Sequence, residues 1–446
     1  MASGIPSASL VENARFNALV IVPNAVQGIF RRRRAPVGAA TRANLDGQAA
    51  GLLRGMYRRH NGGPVWVRVM RDRALLLLTP ADVHRALAAS PDPFASDPEP
   101  KRKGMVTFQP DALTISRGDR WRNRRAFTEA VLETGTPPHR HSARFDLVAR
   151  DEARAMLDSA AANGARELDF DSFNRAFRRI ARRVILGDSA AGDDELSETL
   201  AEMMSEANGM PGEPSHRYGD FVARLATYVD AGEEGSLTSL FDQAPSDAET
   251  KQVGQIPHWM FATGDTLAIN ALRAAALIAS HPAQRERLAQ EIAADGSRNG
   301  DGAAPLPYLE ACLQEAMRLF PTTTMLSRET LADTEWGGAT VPAGTQVLIP
   351  NTFLHRDRDR FEYADRFTPE RWIDGEAATE WSFNHFSRGP QSCPGAAIAL
   401  QLGVAALAEL HSRPVELRAP RIDPEQPLPH MLDFFAIRLA VGEDRR

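Results

Sequence analysis

From about residue 119 to 295, apolar positions recur three and four residues apart, the period of helices that bury one face. The spacing predicts helices over 119–133, 143–163, 170–187, 194–209, 217–231, 255–280 and 282–294, with another over 307–320. Before and after this block the period shortens to two. Residues 64–78 alternate as a β-hairpin turning at Arg71-Asp72-Arg73. Thr79-Pro80-Ala81-Asp82 then has the form of a capping box, opening a helix that runs to about Ala89. Beyond 320, the stretches 324–331, 338–342 and 345–349 read as short strands, with a turn at Trp336-Gly337-Gly338. A last helix over 395–412 leads to strands near 414–418 and 433–440. Helices with small sheets at one edge make a mainly α fold of the α+β kind. No linker interrupts the pattern, so 36–446 reads as one large domain, and the richest loop material, 294–307, as a surface loop.

The N-terminal apolar run, Phe16 to Phe30, is followed by Arg31–Arg34. It contains Asn17, Pro23, Asn24 and Gln27 and falls short of the roughly 20 apolar residues a bilayer span needs. The charge also follows the apolar run, whereas a signal peptide carries it in front. Residues 1–35 are therefore expected to form a docked or interfacial helix with its basic cluster, without a stable membrane span. The net charge of −6 gives no reason to expect nucleic acid as a partner. Two cysteines, Cys312 and Cys393, are too few for a disulfide framework and point to a reducing, cytoplasmic setting. No strand runs into a glycine-rich helix start, so no dinucleotide site of the Rossmann type is expected.

Residues 386–395 read Phe-Ser-Arg-Gly-Pro-Gln-Ser-Cys-Pro-Gly. Gly389-Pro390 makes a turn and Pro394 suits the first position of a helix, which places Cys393 at a helix N-terminus. There the free N–H groups and the dipole favour a thiolate, a ligand for iron. A lone cysteine is equally a small buried hydrophobe, and spacing alone leaves both readings open. Trp121 and Arg125 are i and i+4 and reach one anionic group on one helix face. Arg122 and Arg124 read as a solvated face or, with Arg388, as a docking surface for an acidic electron-transfer protein. Glu315 and Arg318 make an i,i+3 ion pair. Asp265, between apolar turns of 255–280, is either a capped aspartate at a Thr-Gly kink or a group in use.

The cysteine stretch resembles the haem-binding signature of the cytochromes P450, Phe-x-x-Gly-x-x-x-Cys-x-Gly, through Phe386, Gly389, Cys393 and Gly395. Gln391 stands where that family has Arg or His to hold a haem propionate, and Arg388 or His385 would have to compensate. The resemblance spans roughly residues 60–440 and implies the P450 fold, haem b (iron protoporphyrin IX) and Cys393 as the metal ligand. It also implies that Trp121, Arg125 and Arg328 hold the propionates, and that Glu315, Arg318 and Arg371 form a structural lock beneath the haem. Ala262-Thr263-Gly264-Asp265-Thr266 is similar to the family's oxygen-binding segment, with Thr263 at the usual glycine. By that resemblance Asp265 and Thr266 are catalytic, delivering protons.

The expectation is a cytoplasmic, monomeric monooxygenase that hydroxylates or epoxidises an apolar small molecule. Its electrons would come from NAD(P)H through a separate ferredoxin and ferredoxin reductase. Rivals are a peroxide-driven or isomerising haem-thiolate enzyme and a non-enzymatic haem-binding or sensor protein. Substrate choice is expected to fall to 90–118, with Phe94, Met105, Val106, Phe108 and Leu113, and to 205–222, whose 208–216 stretch reads as a flexible loop.

Overall fold

The structure is a computed structural model that describes residues 4–162, 164, 166–294 and 305–443, so most of the expected 294–307 loop lies outside the described residues. The expected helices form with ends shifted by one or two residues, among them Gly118–Val131, Ser142–Ala162, Phe170–Leu186 and Pro307–Leu319. Ala268–Ser280 runs through the centre, and of its side chains only Ile269 and Ser280 escape full burial. Its sequence, AINALRAAALIAS, is apolar on nearly every side, as an enclosed helix must be, and its buried Arg273 is satisfied by the Leu432 and Phe320 carbonyls. The last helix begins at Ala396, not 395, because Gly395 supplies the cap.

The strands gather into a five-stranded sheet at one side. Val65–Val69 and Asp72–Leu76 pair as the expected hairpin, with Met70-Arg71 at its tip. Asp72–Leu76 then lies parallel to Gln346–Pro350, which pairs antiparallel with Met325–Thr330, and Phe94–Ala95 closes the far edge. Phe94, expected near the substrate, instead packs edge-on against Trp336 in the sheet's own core.

The N-terminal run is one helical rod, Leu10–Phe16, a wider turn at Asn17–Ile21, and Val22–Gln27. It docks on the hairpin. The Arg68 N–H donates to Asn13 Oδ1 (2.6 Å) and the Met70 N–H to Asn17 Oδ1 (2.7 Å), so these asparagines satisfy a sheet edge. Phe16 and Val20 bury in the same cluster as Leu53 and Trp66, while Leu10, Val11, Val22 and Val26 face outward. No helix among the described residues is long and apolar enough to cross a membrane.

Glu315 and Arg318 are fully buried and meet in a two-pronged pair at 2.6 and 2.7 Å. Arg318 also donates to the carbonyls of His355, Ala364 and Arg366, which gathers the 355–368 loop around one guanidinium. Arg371 does not join them, contrary to the resemblance. It pairs with Glu376 at 2.8 Å on the surface, and Glu315 is completed by the Trp372 indole N–H (2.9 Å) and by Thr368. An indole donor satisfies the carboxylate without burying a second positive charge.

Removing one partner of a buried ion pair strands the other. Glu315→Ala is expected to cost about 3–5 kcal/mol in chemical denaturation, or to prevent folding, while Arg371→Ala stays within about 1 kcal/mol. Equal losses from the two would return Arg371 to the lock.

Candidate functional site

A cavity of about 910 Å³ opens between the central helix, the cysteine loop and the five-stranded sheet. Cys393, Phe386, Gln391, Gly395, Trp121, Arg125, Arg328, Asp265 and Thr266 all line it. The candidate iron-ligand, propionate and proton-delivery residues thus reach one space.

The floor is the cysteine loop. Its turn needs Gly389, with φ of +71° and a position where an added Cβ would lie 2.2 Å from the Leu87 carbonyl oxygen. The Cys393 N–H donates to the Phe386 carbonyl at 2.8 Å, which folds the loop back on itself and turns the thiol into the cavity. Burial pushes the Cys393 thiol up, against the Gly395 N–H and the Arg125 charge, which pull it down. Cys393 lies three residues ahead of the first helical residue, Ala396, with Gly395 as the cap between them.

Two guanidinium groups flank this floor. Arg125 donates to the Ser392 carbonyl (2.7 Å) and to Glu129 (2.6 Å). Arg328 comes from the opposite strand, 2% exposed, and donates only to Ser90 Oγ, Ser387 Oγ and the Ser327 carbonyl. Burial pushes it down to about 10. A buried charge with no acid of its own calls for an anionic ligand. One thiol below and acid-free arginine beside it form a donor set that fits haem, with its iron and two carboxylates. Gln391 Oε1 is shut in without a partner where a cation would reach the same ligand. Of the two suggested substitutes, Arg388 is held by the Phe383 and Ala378 carbonyls, whereas His385 lines the cavity with a buried Nδ1 that has no partner among the described residues.

On the far wall, the central helix widens to π-type turns over Ala262–Leu267, a device common at functional sites. Gly264 lets the Phe170–Leu186 helix cross closely, since a Cβ there would lie 3.3 Å from the Arg178 Cα. The close crossing brings Arg178 and Asn174 onto Asp265, at 2.7 and 3.1 Å. Asp265 is thus neither a local cap nor free, while Thr266 remains open to the cavity. Around the entrance, Arg122 is exposed beside Asp119, as a solvated face would be, but Arg124 is buried against Ser116, Asp111 and the Glu249 carbonyl. Met105 and Leu113 line the cavity, whereas Val106 does not, and Phe108 lies behind.

The ceiling was not foreseen. Residues 28–34 cross above the central helix as a strap, and Arg31, Arg32 and Arg34 line the cavity. Phe30 inserts against Phe108, with ring centroids 5.8 Å apart, and over Gly104, where any Cβ would collide with its ring. Asn208 ties the strap down by accepting from the Phe30 N–H (3.0 Å) and donating to the Arg31 carbonyl (2.9 Å). Arg34 pairs with Asp171. The 208–216 stretch is itself fastened, with the Ser215 N–H donating to the Thr107 carbonyl at 2.9 Å.

Phe30→Ala should loosen this strap without unfolding the core, read as faster trypsin cleavage at Arg31–Arg34 with an unchanged circular-dichroism spectrum. Unaltered cleavage would show that Phe30 does not hold it.

The family model described as Cytochrome P450 matches residues 47–236 and 240–410. Among curated proteins, the chain is 26% identical to cyclooctat-9-en-7-ol 5-monooxygenase of Streptomyces melanosporofaciens, over 68% of this chain and 72% of that one. It is 26% identical to cytochrome P450 81F4 of Arabidopsis thaliana over 67% of each. The match to cytochrome P450 4c3 of Drosophila melanogaster, 30% identical, covers 40% of this chain and 33% of that protein.

Proposed function

The chain belongs to the cytochrome P450 family and is a haem-dependent monooxygenase, and we propose that it oxidises a largely apolar small organic molecule at a C–H or C=C bond. One atom of dioxygen enters the substrate and the other leaves as water, which takes up two electrons and two protons. NAD(P)H is the proposed electron source, through a separate ferredoxin and ferredoxin reductase, with the enzyme a cytoplasmic monomer. The Streptomyces relative is named for oxidising cyclooctat-9-en-7-ol, in keeping with a small, mostly apolar substrate.

The observation that carries this reading is the convergence of Cys393, acid-free Arg328 and the Asp265–Thr266 turn on one cavity. Haem b, bound there, supplies the iron that activates dioxygen, chemistry no side chain performs. Cys393 would be its protein ligand, Trp121 and Arg125 on one helix face and Arg328 opposite would hold the propionates, and Phe386 and Gly395 would border its seat. Arg178 and Asn174 hold the Asp265 carboxylate turned toward the Phe170–Leu186 helix. Released from that pair, Asp265 takes a proton from water and passes it to Thr266 Oγ1 as the threonine hydroxyl gives its own proton into the cavity, which leaves the carboxylate as it began. The ceiling of Phe30 and the basic strap excludes bulk water while this happens.

Two substitutions test these roles. Cys393→Ala is expected to abolish the red-shifted absorption that reduced haem-thiolate proteins show under carbon monoxide. Thr266→Ala is expected to keep that absorption but divert NADPH consumption from product to peroxide or water. A Thr266→Ala variant that stays fully coupled overturns the proton relay, and wild-type protein without the red-shifted band overturns the reading itself.

A further inference from the structure

His258 lines the cavity two turns ahead of Thr266 on the same helix, roughly 12 Å along its axis. Its Nδ1 lies 3.1 Å from Oε1 of Gln109, a side chain wholly buried behind it. In this amide orientation Oε1 accepts from Nδ1–H, which sets the neutral ring's proton on Nδ1, while Gln109 Nε2 is left without a partner among the described residues. Burial and the nearby Lys101 charge push His258 down to about 4, which keeps the ring neutral at working pH. Nε2 therefore holds a lone pair, faces the cavity and has no partner in the protein.

The groups that might answer it are already engaged. Lys101, which burial pushes down to about 7, places its Nζ on the Ser96 carbonyl, the Thr114 carbonyl and Thr114 Oγ1. Gln255 donates to the Asp111 and Thr250 carbonyls. The His258 ring ends an aromatic series: Phe261 lies edge-on to it with centroids 6.2 Å apart, Phe108 to Phe261 at 6.0 Å, and Phe30 to Phe108 at 5.8 Å. A single fixed acceptor in an aromatic wall is a polarity reader, because a ligand that leaves it unanswered forfeits a hydrogen bond in a water-poor place.

We propose that His258, oriented by Gln109, is a specificity-determining residue that accepts a hydrogen bond from a hydroxyl on an otherwise apolar substrate. The inference rests on the monooxygenase reading above and narrows its substrate class. A hydroxyl suits the site better than an amide, whose carbonyl would need a donor that Lys101 no longer offers. Anchoring the hydroxyl at His258 places the oxidised carbon remote from it, toward Thr266.

The test uses holoprotein and matched probes, fused-ring terpenoid and steroid alcohols each paired with its methyl ether, titrated by the shift of haem spin state. Wild-type protein is expected to bind an alcohol about tenfold more tightly than its ether, the size of one well-placed hydrogen bond. His258→Phe keeps ring volume and should erase that ratio while leaving the carbon monoxide spectrum intact. Gln109→Leu should weaken the ratio, and Gln109→Glu, which still accepts from Nδ1, should restore it. Equal affinities for alcohol and ether in wild-type protein, or a ratio that survives His258→Phe, overturn the proposal. So does a preference for the matching ketone, which would put the proton on Nε2. If no probe of either kind shifts the spectrum although the thiolate band is present, the apolar-substrate reading falls and takes this inference with it.

Discussion

Arg328 sits inside the protein with hydroxyls and a carbonyl for company and no carboxylate to balance it. A guanidinium does not escape this cost by losing its proton, because its affinity for protons is too high. The chain is thus folded around a positive charge that only an acidic ligand completes. Much of the architecture follows from keeping that ligand's seat in shape. The sheet carries Arg328, the Gly118–Val131 helix carries Arg125, and the loop between them turns the Cys393 thiol inward. The buried Glu315–Arg318 pair braces the neighbouring 355–368 loop from behind.

How much of this was readable in the sequence depended on how far apart the partners lie. Helices with one buried face announced themselves, and so did the cysteine loop, because its turn residues and its thiol are within ten residues of each other. The lock was half legible. Glu315 and Arg318 are a local pair, but nothing in the order of residues 367–372 says that Trp372 faces Glu315 while Arg371 turns to solvent. The His258–Gln109 contact joins positions 149 residues apart and left no trace in local spacing. Phe94 was misjudged for a related reason: an aromatic in a pocket-forming region and one in a sheet core have the same pattern.

The arginine run at 31–34 is the instructive case. After an apolar stretch it resembles the basic flank of a membrane helix, since charge and hydropathy are all that a linear reading weighs. The signal that argued otherwise lay in the polar residues of that stretch. Asn17, with Asn13 just ahead of the run, finishes a sheet edge, and Asn24 Oδ1 accepts from the Thr324 hydroxyl at 2.9 Å. Asparagine inside an apolar run marks a helix that docks on protein.

The cavity takes its ceiling from the first strap of the chain and its floor from a loop near the other end. On the ribosome the ceiling emerges long before the floor. Until the cysteine loop follows, Arg31, Arg32 and Arg34 have no chamber to line, and Phe30 can find Phe108 but no pocket beneath it. A seat that needs both cannot be filled before Cys393 is made. A product that stops short of Cys393 would lack the seat itself.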